Sequence, residues 1–334
     1  MTKVATIDTR RFLALLLIAA MLIAMIPIGV AVFPSGILAA DNGTVTCNFT
    51  TSNGAPTVNS ITLSSSTMNP GTAYDITVNV TDNGTVDDID WITVYLYWDS
   101  DGTYNDPTTP AANNNSCAVL QWTKAGGFVL NSGHSGSTWI LSGTAPTMTL
   151  STANWVFHVT VSLVAEQSNI DSSKWFIHAD ANDGTNPTVD NYNADINEVT
   201  WYGQIGSVTT DAVWSSAMNL GSDNVQSPQF TATYTSNGAF NQQVMASGTW
   251  TGPVSLTLNT SGAPGNAQLS LIADVDGTAA GGTQVTTSYQ TMHTGTMTAE
   301  TGDVEGNLYL WMSLGDTGIP SGAYSGSVFL KISN

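Results

Sequence analysis

The residues best equipped for chemistry in this chain are acids at the ends of apolar runs. Asp99, Asp101 and Asp106, with Asn105 beside them, follow Ile92 to Trp98. Asp180, Asn182, Asp183 and Asp190 follow Trp175 to Ala179, and Asp274 and Asp276 follow Leu269 to Ala273. Hard cations gather several carboxylate and carbonyl oxygens at ~2.3 to 2.6 Å, and loops at strand ends supply such oxygens. Calcium is therefore the one cofactor the sequence suggests, with Asp99, Asp101, Asp106, Asp180, Asn182 and Asp183 as its candidate ligands. None of these loops is an EF-hand, whose glycine stands sixth, because Gly102 is only fourth from Asp99. The same spacing also reads as turn chemistry, in which Asp caps its own backbone and the following Gly takes a positive φ. Both readings stand at this stage.

Aromatic residues form the second candidate. If Ile92, Val94, Leu96 and Trp98 face a core, then Trp91, Tyr95 and Tyr97 line the opposite face of the same strand. Flat rings in a row stack on sugars, which makes these three a candidate glycan ladder unless a neighbouring strand, loop or subunit covers them. Catalytic sets are not assembled. The histidines at 134, 158, 178 and 293 are too scattered for a local metal motif, and no His-Glu-x-x-His occurs. Gly133-His134-Ser135-Gly136 lacks the glycine at 137 that a nucleophile elbow requires. Ser222-Asp223-Asn224 has no Ser-x-x-Lys partner, so enzyme activity is not expected.

Charge narrows the partners. The 334 residues carry 6 basic and 25 acidic side chains, for a formal charge of −19. Beyond residue 40 only Lys124, Lys174 and Lys331 remain, without any arginine. Nucleic-acid binding, which needs clustered cations to displace counterions, is excluded. Charged residues make up only 9% of the chain, so Thr, Ser, Asn and Gly supply its polarity and long charged helices are not expected.

The amino terminus points outward. Lys3, Arg10 and Arg11 precede an apolar run from Phe12 to Phe33, with small residues Ala39 and Ala40 ahead of Asp41. This is the layout of an export signal, and the run is also long enough to span a bilayer, which needs about 20 residues. A cleaved signal and a retained anchor in residues 1–40 both place the remainder outside, at an extracellular or cell-surface address, with membrane contact only through an uncleaved leader. Asn-x-Ser/Thr triplets at Asn42, Asn48, Asn79, Asn83, Asn114 and Asn259 are candidate glycosylation sites of a glycoprotein. Cys47 and Cys117, the only cysteines, are expected to pair as a disulfide in an oxidising space, worth about 4 kcal/mol by the chain-entropy model.

The elements that must position these residues are strands. Period-two alternation runs through Tyr74 to Val80, Trp91 to Trp98, Trp155 to Leu163, Phe230 to Tyr234, Val244 to Trp250, Leu308 to Leu314 and Tyr324 to Ile332. Turn residues interrupt the runs about every ten positions, as in antiparallel sandwiches. The fold class expected is all-β: two tandem β-sandwich domains behind a signal or anchor helix. Leu96 to Thr103 echoes Leu271 to Thr278, each an apolar strand closing on Asp-x-Asp-Gly-Thr, which supports two comparable units. After a polar segment at 41–52, the first domain is placed at 53–204 and the second at 205–334, where Trp201-Tyr202 gives way to small polar residues.

Ala55 to Leu63, Asn69-Pro70-Gly71-Thr72, Ile76 to Gly84 and Thr93 to Tyr97 together resemble the opening strands of immunoglobulin-like modules in archaeal and bacterial secreted surface proteins, where a Pro-Gly turn leads into a strand of the type x-I-T-V-x-V-T-D. The resemblance covers about 50 residues. It implies an immunoglobulin-like first domain serving as a spacer, an adhesive unit or part of a surface layer, and it transfers no catalytic residue. Cys117 falls in an Asn-rich loop on this reading, so a core disulfide of the antibody type is not expected. Ile319 to Val328 is similar to the last hairpin of secreted sandwich proteins, some filament subunits among them. The functional expectation is a structural or adhesive surface protein whose partners are other surface proteins or glycans. Its rivals are a carbohydrate-binding module and a filament or surface-layer subunit that self-assembles by strand addition.

Overall fold

A computed structural model describes residues 48–49, 53–103, 115–131, 139–168, 173–185, 191–208, 211–293, 297–298 and 303–334. The leader, Asn42, Cys47, Asn105, Asp106, Asn114, His134 and Asp190 lie outside the described residues. The chain divides into units at 1–51 and 52–334, and the architecture below is that of the second.

The described residues are strands and turns, with one 3-10 turn at Val86–Asp88 and no α-helix. In chain order the first ten strands are β1 (Thr57–Leu63), β2 (Thr67–Met68), β3 (Ala73–Thr81), β4 (Trp91–Asp99), β5 (Cys117–Thr123), β6 (Gly127–Leu130), β7 (Ile140–Thr144), β8 (Thr152–Thr160), β9 (Lys174–Asn182) and β10 (Asn191–Val199). They form two sheets, ordered β1-β3-β8-β7 and β2-β10-β9-β4-β5-β6. All pairings are antiparallel except β2 with β10.

Alternation decides which side chains these sheets bury. On β8, Ala153, Trp155, Phe157 and Val159 are buried, while Asn154, Val156 and His158 point the other way. Ile76, Val78 and Val80 of β3, Ile92, Val94 and Leu96 of β4, and Trp175, Ile177 and Ala179 of β9 join them in one core. Aromatic rings fill its bulk: Trp122 meets Trp155 edge-on with centroids 5.4 Å apart, and Phe128 meets Phe157 at 5.0 Å. Trp175 donates its indole N–H to the Glu166 carbonyl at 2.9 Å, whereas the Trp155 indole N–H is buried without a partner.

The remaining strands are β11 (Gly203–Val208), β12 (Val225–Gln226), β13 (Phe230–Ser236), β14 (Ala239–Ala246), β15 (Thr249–Trp250), β16 (Leu256–Leu258), β17 (Gln268–Asp274), β18 (Thr283–Gln284), β19 (Gln290–Thr291), β20 (Met297–Thr298), β21 (Asp303–Leu314) and β22 (Val328–Ser333). One sheet runs β11-β13-β21-β17-β16-β15, with β12 on β21 and β18 on β17; in the other, β14 lies between β22 and the short strands β19 and β20. Phe230, Ala232, Tyr234, Phe240, Val244, Leu269, Leu271, Leu308 and Leu310 belong to a second, separate buried cluster. Within it the amide of Gln242 donates to the Tyr234 hydroxyl, and burial holds that phenol above its usual pKa. Gly306 faces this pair, where an added Cβ would lie 2.9 Å from the Tyr234 ring and 3.0 Å from the Gln242 amide.

The stretch that reads as a junction in the sequence is itself a strand. β11 is an edge strand paired to β13, and its Gly-Gln-Ile-Gly-Ser-Val side chains are mostly solvent-facing, so no apolar alternation marks it. The connection between the two halves is organised by Asn237, at the tip of the β13–β14 turn and only 3% exposed. Its Nδ2 donates to the carbonyls of Ala165 at 2.9 Å and Thr200 at 2.8 Å, and its Oδ1 accepts from the Tyr202 N–H at 2.7 Å. Its own carbonyl accepts from the Gln167 N–H at 3.1 Å and its N–H reaches the Tyr202 carbonyl at 3.2 Å. One side chain thus ties the loop after β8, the segment after β10 and the β13–β14 turn together.

Candidate functional site

The acidic turns are built as the turn chemistry requires. Asp99 Oδ1 accepts from the Asp101 N–H at 2.9 Å, and Asp101 Oδ1 accepts from the Thr103 N–H at 2.7 Å. A side-chain contact with Asp99 first, and the Thr103 N–H second, hold the exposed Asp101 carboxyl below its usual pKa. Asn182 caps Gly184 at 2.5 Å, Asp183 caps Thr185 at 2.8 Å, and Asp274 and Asp276 cap residues two further on. Gly102, Gly184 and Gly277 carry the positive φ these turns need, at 71°, 77° and 79°. Asp180 is drawn elsewhere, to His178 Nε2 at 2.9 Å. Of the calcium candidates, therefore, Asp180 is engaged by His178 on its own strand, and Asp99 and Asp101 engage one another at the surface.

A different acidic cluster lies where the end of β3, the 3-10 turn and the turn after β9 meet. Asp82 is 2% exposed; its Oδ1 accepts from the Gly84 N–H at 3.1 Å, and its Oδ2 is buried with no hydrogen-bond partner. Asp88 Oδ1 is likewise buried and unpartnered. Asn53 Nδ2 stands between the other two acids, 2.7 Å from Asp88 Oδ2 and 3.0 Å from Asp183 Oδ2. Burial raises the Asp82 carboxyl above its usual pKa, and the charges of Asp88 and Asp183 add to it, against the Gly84 N–H that favours the anion. Lys124 is committed to Asp87, donating to its carbonyl and lying 3.5 Å from its carboxylate. Among the described residues, no three His, Cys, Asp or Glu side chains are disposed around one point for an ion as they stand.

Sequence reading missed this cluster because its members are separated along the chain and meet only through packing of the two sheets. The one local signal was the Asp82-Asn83-Gly84 turn, which reads as a simple strand end.

The aromatic ladder lies on the outer face of the six-stranded sheet as the alternation predicts, but that face is largely covered. Tyr97 is buried, Trp91 and Tyr95 are half-buried, Tyr97 packs on Phe176 with centroids 5.9 Å apart, and Tyr95 on His178 at 5.7 Å. Cys117 joins Tyr97 and Phe176 there, so it starts a strand rather than lying in a loop, and it faces away from the core. Burial pushes its thiol up to about 11.

On the opposite face of the molecule's first core, His158 bridges Asp75 Oδ1 at 2.6 Å through Nδ1 and Thr144 Oγ1 at 3.3 Å through Nε2. The order hydroxyl, imidazole, carboxylate is that of a nucleophilic relay. What such a relay also needs is a pair of N–H groups aimed at a reacting oxygen, and water excluded around it. Here the residues sit on a flat exposed sheet whose β3, β8 and β7 backbones are spent on one another, and His158 and Asp75 side chains are 39% and 53% exposed. The arrangement is a cross-strand polar contact.

Polar ladders of this kind dominate that face. Asn59 donates to Asn79 Oδ1 at 2.8 Å, and Asn79 Nδ2 donates to Asn154 Oδ1 at 2.6 Å. A glycan attaches through Nδ2, so at Asn79 it would replace a rung of the ladder. At Asn259 it would replace bonds to the carbonyls of Gly262 and Ala263. Asn48 and Asn83 are exposed. All three lysines past the leader are engaged: Lys124 with Asp87, Lys174 with Glu198 at 2.6 Å, and Lys331 over the Tyr289 ring at 5.5 Å. The sequence matches no protein-family model and no curated protein.

Proposed function

We propose that this chain is a non-catalytic extracellular surface protein with a structural or adhesive role, built from two tandem β-sandwiches of which the first is immunoglobulin-like. The strand order supports the fold assignment. β1-β3-β8-β7 corresponds to strands A, B, E and D, and β10-β9-β4-β5-β6 to G, F, C, C′ and C″ of the variable-type arrangement, with β2 running parallel to β10 at the edge. The places where antibody domains put their inter-sheet disulfide, on β3 and β9, hold Ile76, Val78, Ile177 and Ala179, and tryptophans occupy the space between the sheets.

The observation that carries the functional reading is the joint at Asn237. A spacer must transmit orientation from one module to the next, and a buried side chain at the start of the second part whose donors and acceptor are all matched by the end of the first resists bending there. The surface fits the same role. With only three lysines beyond the leader, two of them ion-paired, the exterior is acidic and neutral-polar, which keeps copies soluble and apart except where a protein or glycan partner bridges them.

The test is proteolytic shaving of intact producing cells with proteinase K, followed by mass spectrometry. Peptides from 53–334 are expected before lysis; their appearance only after lysis overturns the assignment. A second reading, a filament subunit assembled by strand addition, is favoured by β22, which pairs only with β14 among the described residues and exposes Phe329. Ordered polymers by electron microscopy would support it over the spacer.

A further inference from the structure

We propose that Asp82, Asp88 and Asp183 form a calcium site in which the ion replaces the Asn53 amide as their shared partner. Two features of the geometry lead there. First, the cluster concentrates three carboxylates at a place where Asp82 and Asp183 are 2% and 7% exposed, with the Asn53 amide bridging Asp88 and Asp183. Buried carboxylates are held by hydrogen bonds, cations or metals, because an unpaired buried charge is costly. Second, Asp82 Oδ2 and Asp88 Oδ1 are buried and unpartnered, two acceptors left over after every turn contact has been made. The turns themselves use Asp82 Oδ1 and Asp183 Oδ1, which leaves Asp82 Oδ2 buried and unspent and Asp183 Oδ2 on the Asn53 amide.

The chemistry selects the ion. The donors are all oxygen, which disfavours softer metals that seek thiolate or imidazole. They come from a strand end, a 3-10 turn and a loop, an irregular frame that suits the variable 6 to 8 ligand shell of Ca²⁺ better than the strict octahedron of Mg²⁺. Asn53 Nδ2, sitting within hydrogen-bond reach of two carboxylates, occupies the position of a positive partner, and a cation there satisfies the same oxygens with full charge. The ion would pin the 3-10 turn to the ends of β3 and β9, clamping one end of the first core. This inference concerns the site alone and does not depend on the spacer role.

The experiment is thermal unfolding of the purified full chain in EDTA, in millimolar CaCl₂ and in millimolar MgCl₂, with isothermal titration of CaCl₂. Calcium is expected to raise the melting temperature saturably, by about 5 °C once it exceeds its Kd a hundredfold, with a smaller response to magnesium. Asp82→Asn is expected to melt higher than the parent in EDTA, since it removes a buried repelling charge, and to lose the calcium shift. Asp88→Asn, at a more exposed position, is expected to weaken calcium at least tenfold, and Asp99→Asn to leave it unchanged. Absence of any calcium shift in the parent overturns the proposal. So does a shift that survives Asp82→Asn and Asp88→Asn, or one abolished by Asp99→Asn, which would place the ion at the turn after β4. A parent blind to calcium together with a stabilised Asp82→Asn would identify Asp82 as a protonated acid instead.

Discussion

Replacing Asn237 with alanine tests the joint directly. The substitution deletes three hydrogen bonds and leaves the Ala165 carbonyl, the Thr200 carbonyl and the Tyr202 N–H without their partner. A buried polar group stranded in this way costs about 1 to 3 kcal/mol. The Ala165 bond is fully buried, but the other two are partly reachable by water, so the expected loss is about 3 to 5 kcal/mol rather than the full sum. Asn237→Asp separates hydrogen bonding from packing. It keeps the shape and the acceptor for Tyr202, but it turns a carboxylate oxygen toward two carbonyls, and it should cost at least as much as alanine. Denaturant unfolding followed by tryptophan fluorescence reads both effects, because Trp155 and Trp175 lie in the first core and Trp250 in the second. The parent should lose both cores together, and the variants should show two separated transitions as the halves uncouple. If both variants stay within about 0.5 kcal/mol of the parent and keep a single transition, Asn237 is not the fastening described here.

Two more outcomes follow from buried groups. Trp155→Phe removes an indole N–H that has no partner, whereas Trp175→Phe breaks a bond to Glu166, so by equilibrium unfolding the second should be more destabilising than the first by about 1 to 2 kcal/mol. In the reduced protein Cys117 should resist iodoacetamide at pH 8 and react as the pH approaches its thiol value of about 11, because burial disfavours the thiolate; rapid labelling of the folded chain at pH 8, followed by peptide mapping, would refute that.

The parts of this molecule that were legible in its sequence are those decided locally. Period two separated the inward from the outward residues of β4 and β8, since in a half-buried strand the pattern of side chains is the pattern of burial. The Asp-x-Asp-Gly-Thr segments were readable as turns for the same reason, as Asp and Gly act within two or three residues of themselves. β10 and β11 escaped notice. β10 does alternate, Tyr192, Ala194 and Ile196 against Asn and Asp, but its apolar set is short and its register shifts after Asn193, while Gly-Gln-Ile-Gly-Ser-Val of β11 carries little apolar alternation and is a strand because β13 supplies a ladder to join. The Asp82 cluster and the Asn237 joint were invisible on more basic grounds. Each depends on residues from several elements, and no single-strand pattern encodes which loop ends two packed sheets will bring together.

The occupied lysines have a consequence for the lifetime of the protein. Enzymes that cut after basic side chains find only Lys124, Lys174 and Lys331 beyond the leader. Lys174 is just 13% exposed and ion-paired on a strand, and the other two are held against Asp87 and Tyr289. At Lys174 a trypsin-like attacker must first pull a paired side chain out of its contact and open a stretch of sheet, whereas Lys124 lies exposed in the turn between β5 and β6. The small number of cut points open to that whole class of protease, with the β5–β6 turn first among them, is thus inherent in the same scarcity of positive charge that turns nucleic acids away.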